Sequence, residues 1–492
     1  MCLAESGGPG RLPATVRPVT DVVWLGAAEL VRLYRGGELS PVEVAQVHLR
    51  RLEQLEPVLN AFMAVDAEGA LRQADESAGR WRRGEPAGPL DGVPVTVKDL
   101  VAMRGWPTRL GSATSDPEAV AHEDAPAVGR LRESGAVILG KTTTPEFGWK
   151  GITDGPLFGI TRNPWNPAHT PGGSSGGAAA SLAAGIGAVA FGTDGGGSLR
   201  IPGSYSGLVG FKPSFGRVPD HPQEGLWCTL VAGGPLARSV ADAALFLSVI
   251  ARPDPRDWYA LPFDGRDWRI GPGDGVRGLR IGYTDTLGHA RVEGEVAAVV
   301  RAAAGLLEEL GARVEPVGPL IEALRPQFEH HWKAGFAARL RGVAADRHHQ
   351  LDPGFHALAT EGLDVDLATV NVAQSARARL GAQLNAFHER YDLLLTPTMP
   401  SVAPLAEVVY HSPGFDRWAR FVPFTLPFNL TGQPAASVPV GVSREGLPIG
   451  AQVVAARHRE DLVLRGARAL EAAVDLRHPH PRLLNTLREL GA

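Results

Sequence analysis

PGGSSGGAAASLAAGIGAVAFGTDGGGSLR, residues 171–200, is the stretch on which the fold turns. Two serines stand among glycines near its ends, Ser174 and Ser198, 24 residues apart. The residues between them are small and apolar, alanine-rich at first and strand-like at about Ala188–Gly192. A short helix followed by a strand is predicted, which returns both serines to one edge of a sheet. Glycine beside serine lets the backbone reach positive φ and approach a ligand closely. In Asp194-Gly195-Gly196-Gly197-Ser198, several N–H groups can aim at one point, as an oxyanion hole requires. A flexible Gly/Ser linker would share this composition, but apolar helix and strand patterns abut the glycines on both sides. Gly172-Gly173-Ser174-Ser175-Gly176 also fits the G-x-S-x-G nucleophile elbow, which needs a strand directly before it. The preceding NPWNPAHTP is too rich in proline and asparagine to be a central strand.

Outward from this stretch the chain alternates strand and helix. Ser40-Pro41-Val42-Glu43 is a capping box with proline at the first helical position. Val93–Val97 reads as a strand ending at Lys98, Ala125–Ser134 as a helix stopped by Gly135, and Ala136–Leu139 as the next strand. Strand, helix, strand is the signature of a parallel sheet with covered faces. Ser239–Asp242 caps another apolar helix. Leu279–Tyr283, Ala312–Val317, Tyr391–Leu395 and Ile449–Val454 read as strands, and Val296–Leu310 as a helix closed by Gly311. Residues about 320–390 look helical throughout and read as an insertion or cap. Gly135–Thr142 matches Walker A spacing, but here the intervening residues are a strand where a P-loop needs a loop. Lys141 is therefore read as a structural or strand-end lysine.

Composition narrows the class. At ~150 residues per domain, 492 residues would make about three domains or one large α/β unit. With 44% hydrophobic and 21% charged residues the chain is globular. A net charge of −4 with no basic run argues against a nucleic-acid partner. Only two cysteines, Cys2 and Cys228, fit a reducing compartment. The N-terminal MCLAESGGPGRLPATVRP has no apolar signal core, so no secretion and a cytoplasmic setting are expected. The apolar run Ala178–Phe191 is too short for a membrane span.

The motifs together resemble the amidase signature family. They are GVPVTVKD ending on Lys98 and Asp99, GGSSGG, GTDGGGSLRIPGSYSGLVGFKPSFGRVP, GPLARSVADAALFL at 234–247, DLLLTPTMP at 392–400 and FNLTGQPAASVPVG at 428–441. The similarity runs from about 25 to 470. It implies an α/β/α sandwich with a large mixed, mostly parallel central sheet covered by helices. It also implies one amidase domain over 1–492, with a core of about 25–475 and the helical cap within it. By position it implies Ser198 as nucleophile, Ser174 as bridging serine in a cis peptide, and Lys98 as base. The oxyanion hole maps to the N–H groups of Gly195, Gly196, Gly197 and Ser198, with Ser175, Asp194 and Arg200 in support. Gly195 departs from the family pattern, in which threonine or a branched residue is common, and the departure bears on the rigidity of the loop.

The chemistry is coherent. A serine hydroxyl needs its proton removed before it attacks, and a lysine can serve as base only when neutral, a state burial favours. The apolar run Val93–Val97 is consistent with a buried amine at Lys98, although a lone strand-end lysine is more often solvated and would pair with Asp99. No cofactor and no metal are expected: His330-His331 and His348-His349 are adjacent pairs that point apart on a helix. Cys228 reads as a small buried or pocket-lining residue, and Glu146 as a helix-start carboxylate. Trp106, Phe147, Trp149, Phe158, Trp227, Trp332 and Phe336 cluster near these segments. Core packing accounts for most such aromatics, yet Phe147, Trp149, Trp227, Trp332 and Phe336 are the candidates for a substrate pocket. The expected substrate is an apolar, aryl or alkyl amide, with carbamates (a urethanase activity) and esters as extensions. The alternative implied by the resemblance is the glutaminase subunit of a tRNA-dependent amidotransferase. Partners are a small-molecule amide or carbamate, no nucleic acid and no membrane, with a homodimer left open.

Overall fold

The computed structural model describes residues 22–222, 228–321, 325–407, 421–474, 476 and 479–491. Trp227 and Cys2 lie outside the described residues, as does the side chain of Cys228. The strands in chain order are β1 (Phe62–Val65), β2 (Pro94–Lys98), β3 (Val137–Thr142), β4 (Asp154–Gly155), β5 (Gly159–Ile160) and β6 (Val189–Asp194). There follow β7 (Val209–Lys212), β8 (Ala232–Ala237), β9 (Arg280–Tyr283), β10 (Arg313–Pro316), β11 (Leu393–Pro397), β12 (Ala435–Val442) and β13 (Pro448–Val454). Eleven of these form one sheet in the order β1-β3-β2-β6-β8-β7-β12-β13-β11-β9-β10, and β4 and β5 form a small ribbon.

The sheet is mixed. β3, β2 and β6 run parallel, as do β11, β9 and β10, and these are the strand–helix–strand units legible in the sequence. Between the two runs the pairings β6–β8–β7–β12–β13–β11 are antiparallel. Four strands of this sheet are not expected from periodicity, β1, β7, β8 and β12, and neither is the β4–β5 ribbon. β8 reads AGGPLA, a turn-like composition, yet it is buried and pairs along its whole length with β6. Tertiary pairing overrides local propensity there.

The helices that matter for the site are α1 (Pro41–Leu59), α2 (Pro126–Glu133), α3 (Gly176–Ala183), α4 (Arg200–Ser206) and α5 (Val240–Ile250). The first capping box forms, Ser40 and Glu43 bonding reciprocally at the start of α1; before α5 only half of the expected box is present, the Ser239 hydroxyl accepting from the Asp242 N–H at 3.1 Å. The region expected as a cap is helical, with α6 (Arg325–Arg341), α7 (Pro353–Gly362) and α8 (Leu367–Arg390). It encloses its own aromatic core, including Phe147, Trp149, Phe328, Trp332, Phe336 and Phe355. Among the described residues no helix is long and apolar enough to cross a membrane.

Candidate active site

β2 and β6 are adjacent and parallel, with Val97 opposite Phe191, so Lys98 and the end of β6 lie at the same edge of the sheet. α3 begins at that edge, directly after Ser174 and Ser175. The turn from β6 into α4 carries Ser198. The sheet therefore brings three distant segments together. Lys98 Nζ lies 2.8 Å from Ser174 Oγ, and Ser174 Oγ lies 2.9 Å from Ser198 Oγ. The peptide bond between Gly173 and Ser174 is cis.

Lys98 is 0% exposed. Among the described residues its amine pairs with no carboxylate; Asp99 pairs instead with Lys141, at 3.1 Å. Burial pushes the Lys98 amine well below its usual range, and the attraction of Asp194 only partly opposes this. A neutral amine keeps two hydrogens and a lone pair. One N–H can be donated to Thr193 Oγ1, 3.0 Å away, and Ser174 Oγ lies within reach of either the second hydrogen or the lone pair. Sequence reasoning misses Thr193, and only its place beside Asp194 in the GTDGGGS motif could suggest it.

The β6–α4 turn is tied to one buried carboxylate. Asp194 accepts from the N–H groups of Gly197 at 2.8 Å and Leu199 at 3.2 Å. Arg200 grips it with two bonds, Nε to Oδ2 at 3.0 Å and Nη2 to Oδ1 at 2.9 Å. Burial alone would raise the Asp194 carboxyl, but Arg200, Lys212 and Asn429 outweigh it and hold the group ionised. Arg200 is in turn fixed by Gln452 Oε1 at 2.7 Å and Asn429 Oδ1 at 2.6 Å. Thr425 Oγ1 donates to Gly196 O at 2.6 Å, closing the loop from the other side. Thr425, Asn429 and Gln452 also escape sequence reading; Asn429 stands in the quoted FNLTGQPAASVPVG motif, and the signal of the other two is polarity inside otherwise apolar stretches.

Of the four expected oxyanion donors, Gly197 differs from the rest. Its N–H is engaged by Asp194, whereas those of Gly195, Gly196 and Ser198 have no protein acceptor among the described residues. Gly197 sits at φ +131°, and a side chain there would meet Thr425 Oγ1 at 2.5 Å. Ser175 staples the second serine loop to this one: its N–H donates to Ser198 O at 3.3 Å and its hydroxyl to Thr193 O at 3.2 Å.

Two cavities adjoin these elements. One of about 330 Å³ is bordered by Thr193, Leu110, Phe147, Phe191, Val231 and Arg339. The other, of about 530 Å³, is bordered by Ile152, Tyr205, Met399 and Val422. Phe147 thus borders a cavity. Trp149, Trp332 and Phe336 line neither; they are packed into the core of the cap, because their large apolar surfaces are buried by α6 and α7. Lys141 is a buried structural lysine, bonded to Pro107 O at 2.8 Å and Thr108 Oγ1 at 2.9 Å. Glu146 opens a short 3₁₀ turn and is fully buried. His348 bonds Val343 O, and among the described residues no cluster of His, Cys, Asp and Glu could hold a metal.

A buried lysine in contact with two serines at one edge of a large mixed sheet is an arrangement able to activate a serine hydroxyl. The amidase family model matches residues 43–464, and the chain belongs to the amidase signature family. An acylamidase of Rhodococcus erythropolis is 36% identical over 459 residues, spanning 91% of this chain and 95% of that protein. A glutamyl-tRNA(Gln) amidotransferase component from Salinispora arenicola is 36% identical over 499 residues, spanning 93% and 98%. A bacterial aryl acylamidase structure superposes with a TM-score of 0.86 at 31% identity, covering 96% of this chain and 99% of that one. The 6-aminohexanoate cyclic dimer hydrolase with substrate bound gives 0.85 at 30%, covering 94% and 100%. The protein is an amide hydrolase of this family.

Proposed function

We propose that the protein hydrolyses apolar aryl or alkyl amides through an acyl-enzyme on Ser198. The observation that carries this reading is the unbroken chain from a fully buried lysine through Ser174 to Ser198, with 2.8 Å and 2.9 Å between successive atoms. Ser198 passes its proton to Ser174, which passes its own to the neutral Lys98 amine. The Ser198 oxygen attacks the carbonyl carbon. The negative charge that develops on the carbonyl oxygen falls to the N–H groups of Gly195, Gly196 and Ser198. Gly197 holds the turn in shape through Asp194. As the intermediate collapses, the proton returns from Lys98 through Ser174 to the leaving amine. Water then releases the acid by the same relay.

Support for an apolar substrate comes from the smaller cavity. Leu110 and Phe147 both border it, and both adopt left-handed backbone, at φ +55° and +51°. Such a conformation is costly for bulky residues, about 1–3 kcal/mol each, and is retained where the surroundings demand it. The Phe147 N–H donates to Leu110 O at 2.7 Å, so the two are held as one wall. A carbamate places the same carbonyl before the serine and is the natural extension, with esters following. We read residues of about 25–475 as one amidase domain capped by residues of about 320–390. The scarcity of cysteine, two in 492 residues, favours a reducing, cytoplasmic setting.

Ser198→Ala should lower turnover of an anilide by on the order of 10⁴-fold or more while leaving the thermal unfolding curve in place. A serine-directed sulfonyl fluoride should add its mass to the peptide carrying Ser198; wild-type turnover by the alanine variant overturns the assignment. Because the amidotransferase relative is as similar as the acylamidase, glutamine belongs in the same panel. Efficient glutamine hydrolysis with no anilide turnover would favour the glutaminase reading.

A further inference from the structure

Three consecutive glycines are a poor way to hold three N–H groups still, since each loses more backbone freedom on ordering than any other residue. Gly197 needs its freedom, because its φ is +131°. Gly195 does not; its backbone is outside the left-handed region, so any residue could adopt it. What crowds a side chain at 195 is limited space. A methyl built on Gly195 would stand 3.2 Å from Trp332 Cη2, 3.3 Å from Trp332 Cζ3 and 3.1 Å from Val231 Cγ2. The indole of Trp332 therefore occupies the volume that a branched side chain at 195 would fill.

Trp332 is itself fixed. It is 4% exposed, and its Nε1–H donates to Trp149 O at 3.0 Å. Its ring stacks on Phe328 at 4.9 Å and meets Phe336 edge-on at 5.6 Å. It belongs to α6 in the cap, whereas Gly195 directly follows β6 of the sheet. We infer that Trp332 is a positioning residue for the oxyanion turn: the cap supplies, through the rim of one indole, the packing that holds the Gly195 N–H in place. This rests on the assignment of that N–H to the oxyanion. It also means that the cap contributes to the rate of acyl transfer and is more than a cover for the substrate.

The test is a reciprocal pair. Trp332→Leu withdraws the ring rim and should lower kcat about tenfold with KM little changed, since a loosened donor acts on the transition state. Gly195→Val in the wild-type background forces a branched side chain against the indole and should lower kcat at least as far. In the double variant the valine fills the space the indole left, and kcat should recover to within about threefold of wild type, better than either single change. Trp332→Phe, a milder truncation for use if the leucine variant folds poorly, should show the same rescue by Gly195→Val. A merely structural role predicts otherwise: unfolding temperatures would fall with each change, and kcat would be no better in the double variant than in the worse single. That result overturns the inference alone, provided Ser198→Ala is inactive. An active Ser198→Ala overturns the catalytic reading and the inference with it.

Discussion

Nothing near Lys98 fully offsets the cost of charging it in a buried site, and that is what would let its amine serve as the proposed base. Asp99, its sequence neighbour, is turned away to Lys141, and Asp194 is already neutralised by Arg200. Two consequences follow at this scale. The acid limb of kcat/KM should lie well below the usual lysine range, with activity rising as pH rises through it, because protonating the amine removes the acceptor. Lys98→Met should abolish turnover, and it should also gain stability relative to wild type as pH falls from about 10 to about 7. The unfolded chain protonates its lysine over that interval while the folded one resists, so the wild type loses stability that methionine keeps. Denaturant titrations at the two pH values measure the difference; equal gaps at both would show that the lysine is not held neutral. The three groups of the proposed relay are legible through the resemblance to the family motifs. Thr193 is not, because a threonine near a strand end looks the same whether or not an amine sits over it.

The β6–α4 turn is an element whose geometry depends on one ion pair. Asp194 and Arg200 are both fully buried, and each is saturated by further bonds. Removing one partner strands the other charge in a low-dielectric interior, a loss of about 3–5 kcal/mol. Arg200→Ala should therefore lower unfolding free energy by about that amount and lose most activity, as read by urea titration and anilide assay. Arg200→Lys should recover only part, since an ammonium cannot make the two-pronged contact with the carboxylate. At this scale the sequence is unevenly legible. Strands with apolar runs such as β2 and β3 are visible. β7, β8 and β12 are not, because they are short or carry glycine and proline, and only pairing with their neighbours makes them strands.

Across the whole molecule, the cap is latched to the sheet layer by buried polar contacts. Glu146 Oε2 accepts the Asp352 N–H at 2.6 Å, and Oε1 accepts the Ser112 hydroxyl at 2.6 Å. Lys150 joins Asp352, at 3.0 Å, to Asp154. Asp352 caps α7, so the latch fixes the cap helix that packs beside Phe147. Burial raises the Glu146 carboxyl to about 7. Between its ordinary 4.5 and 7 the unfolded chain gives up a proton that the folded chain keeps. The stability this group contributes is thus complete below the lower value and lost by the upper. The difference in unfolding free energy between wild type and Glu146→Gln should fall by on the order of 2 kcal/mol from about pH 5 to about pH 8. A flat difference across that range would remove Glu146 from the latch. The expectation of a helix-start carboxylate captures its place in the chain but not its partners, which lie on segments 34 and 206 residues away.

The sequence by itself determined the candidate reacting groups, through their resemblance to the family motifs, the alternation of strand and helix on both flanks, and the helical run about 320–390. Each is written in local terms: a motif, a period, a cap. Only the tertiary structure decided which strands fill the centre of the sheet, and which aromatics face a cavity and which face each other. It alone decided that Gly197 commits its N–H to a carboxylate, and that the space beside Gly195 belongs to a tryptophan 137 residues further along. Those outcomes depend on what one segment meets when the chain closes on itself, and no local pattern encodes a partner's distance.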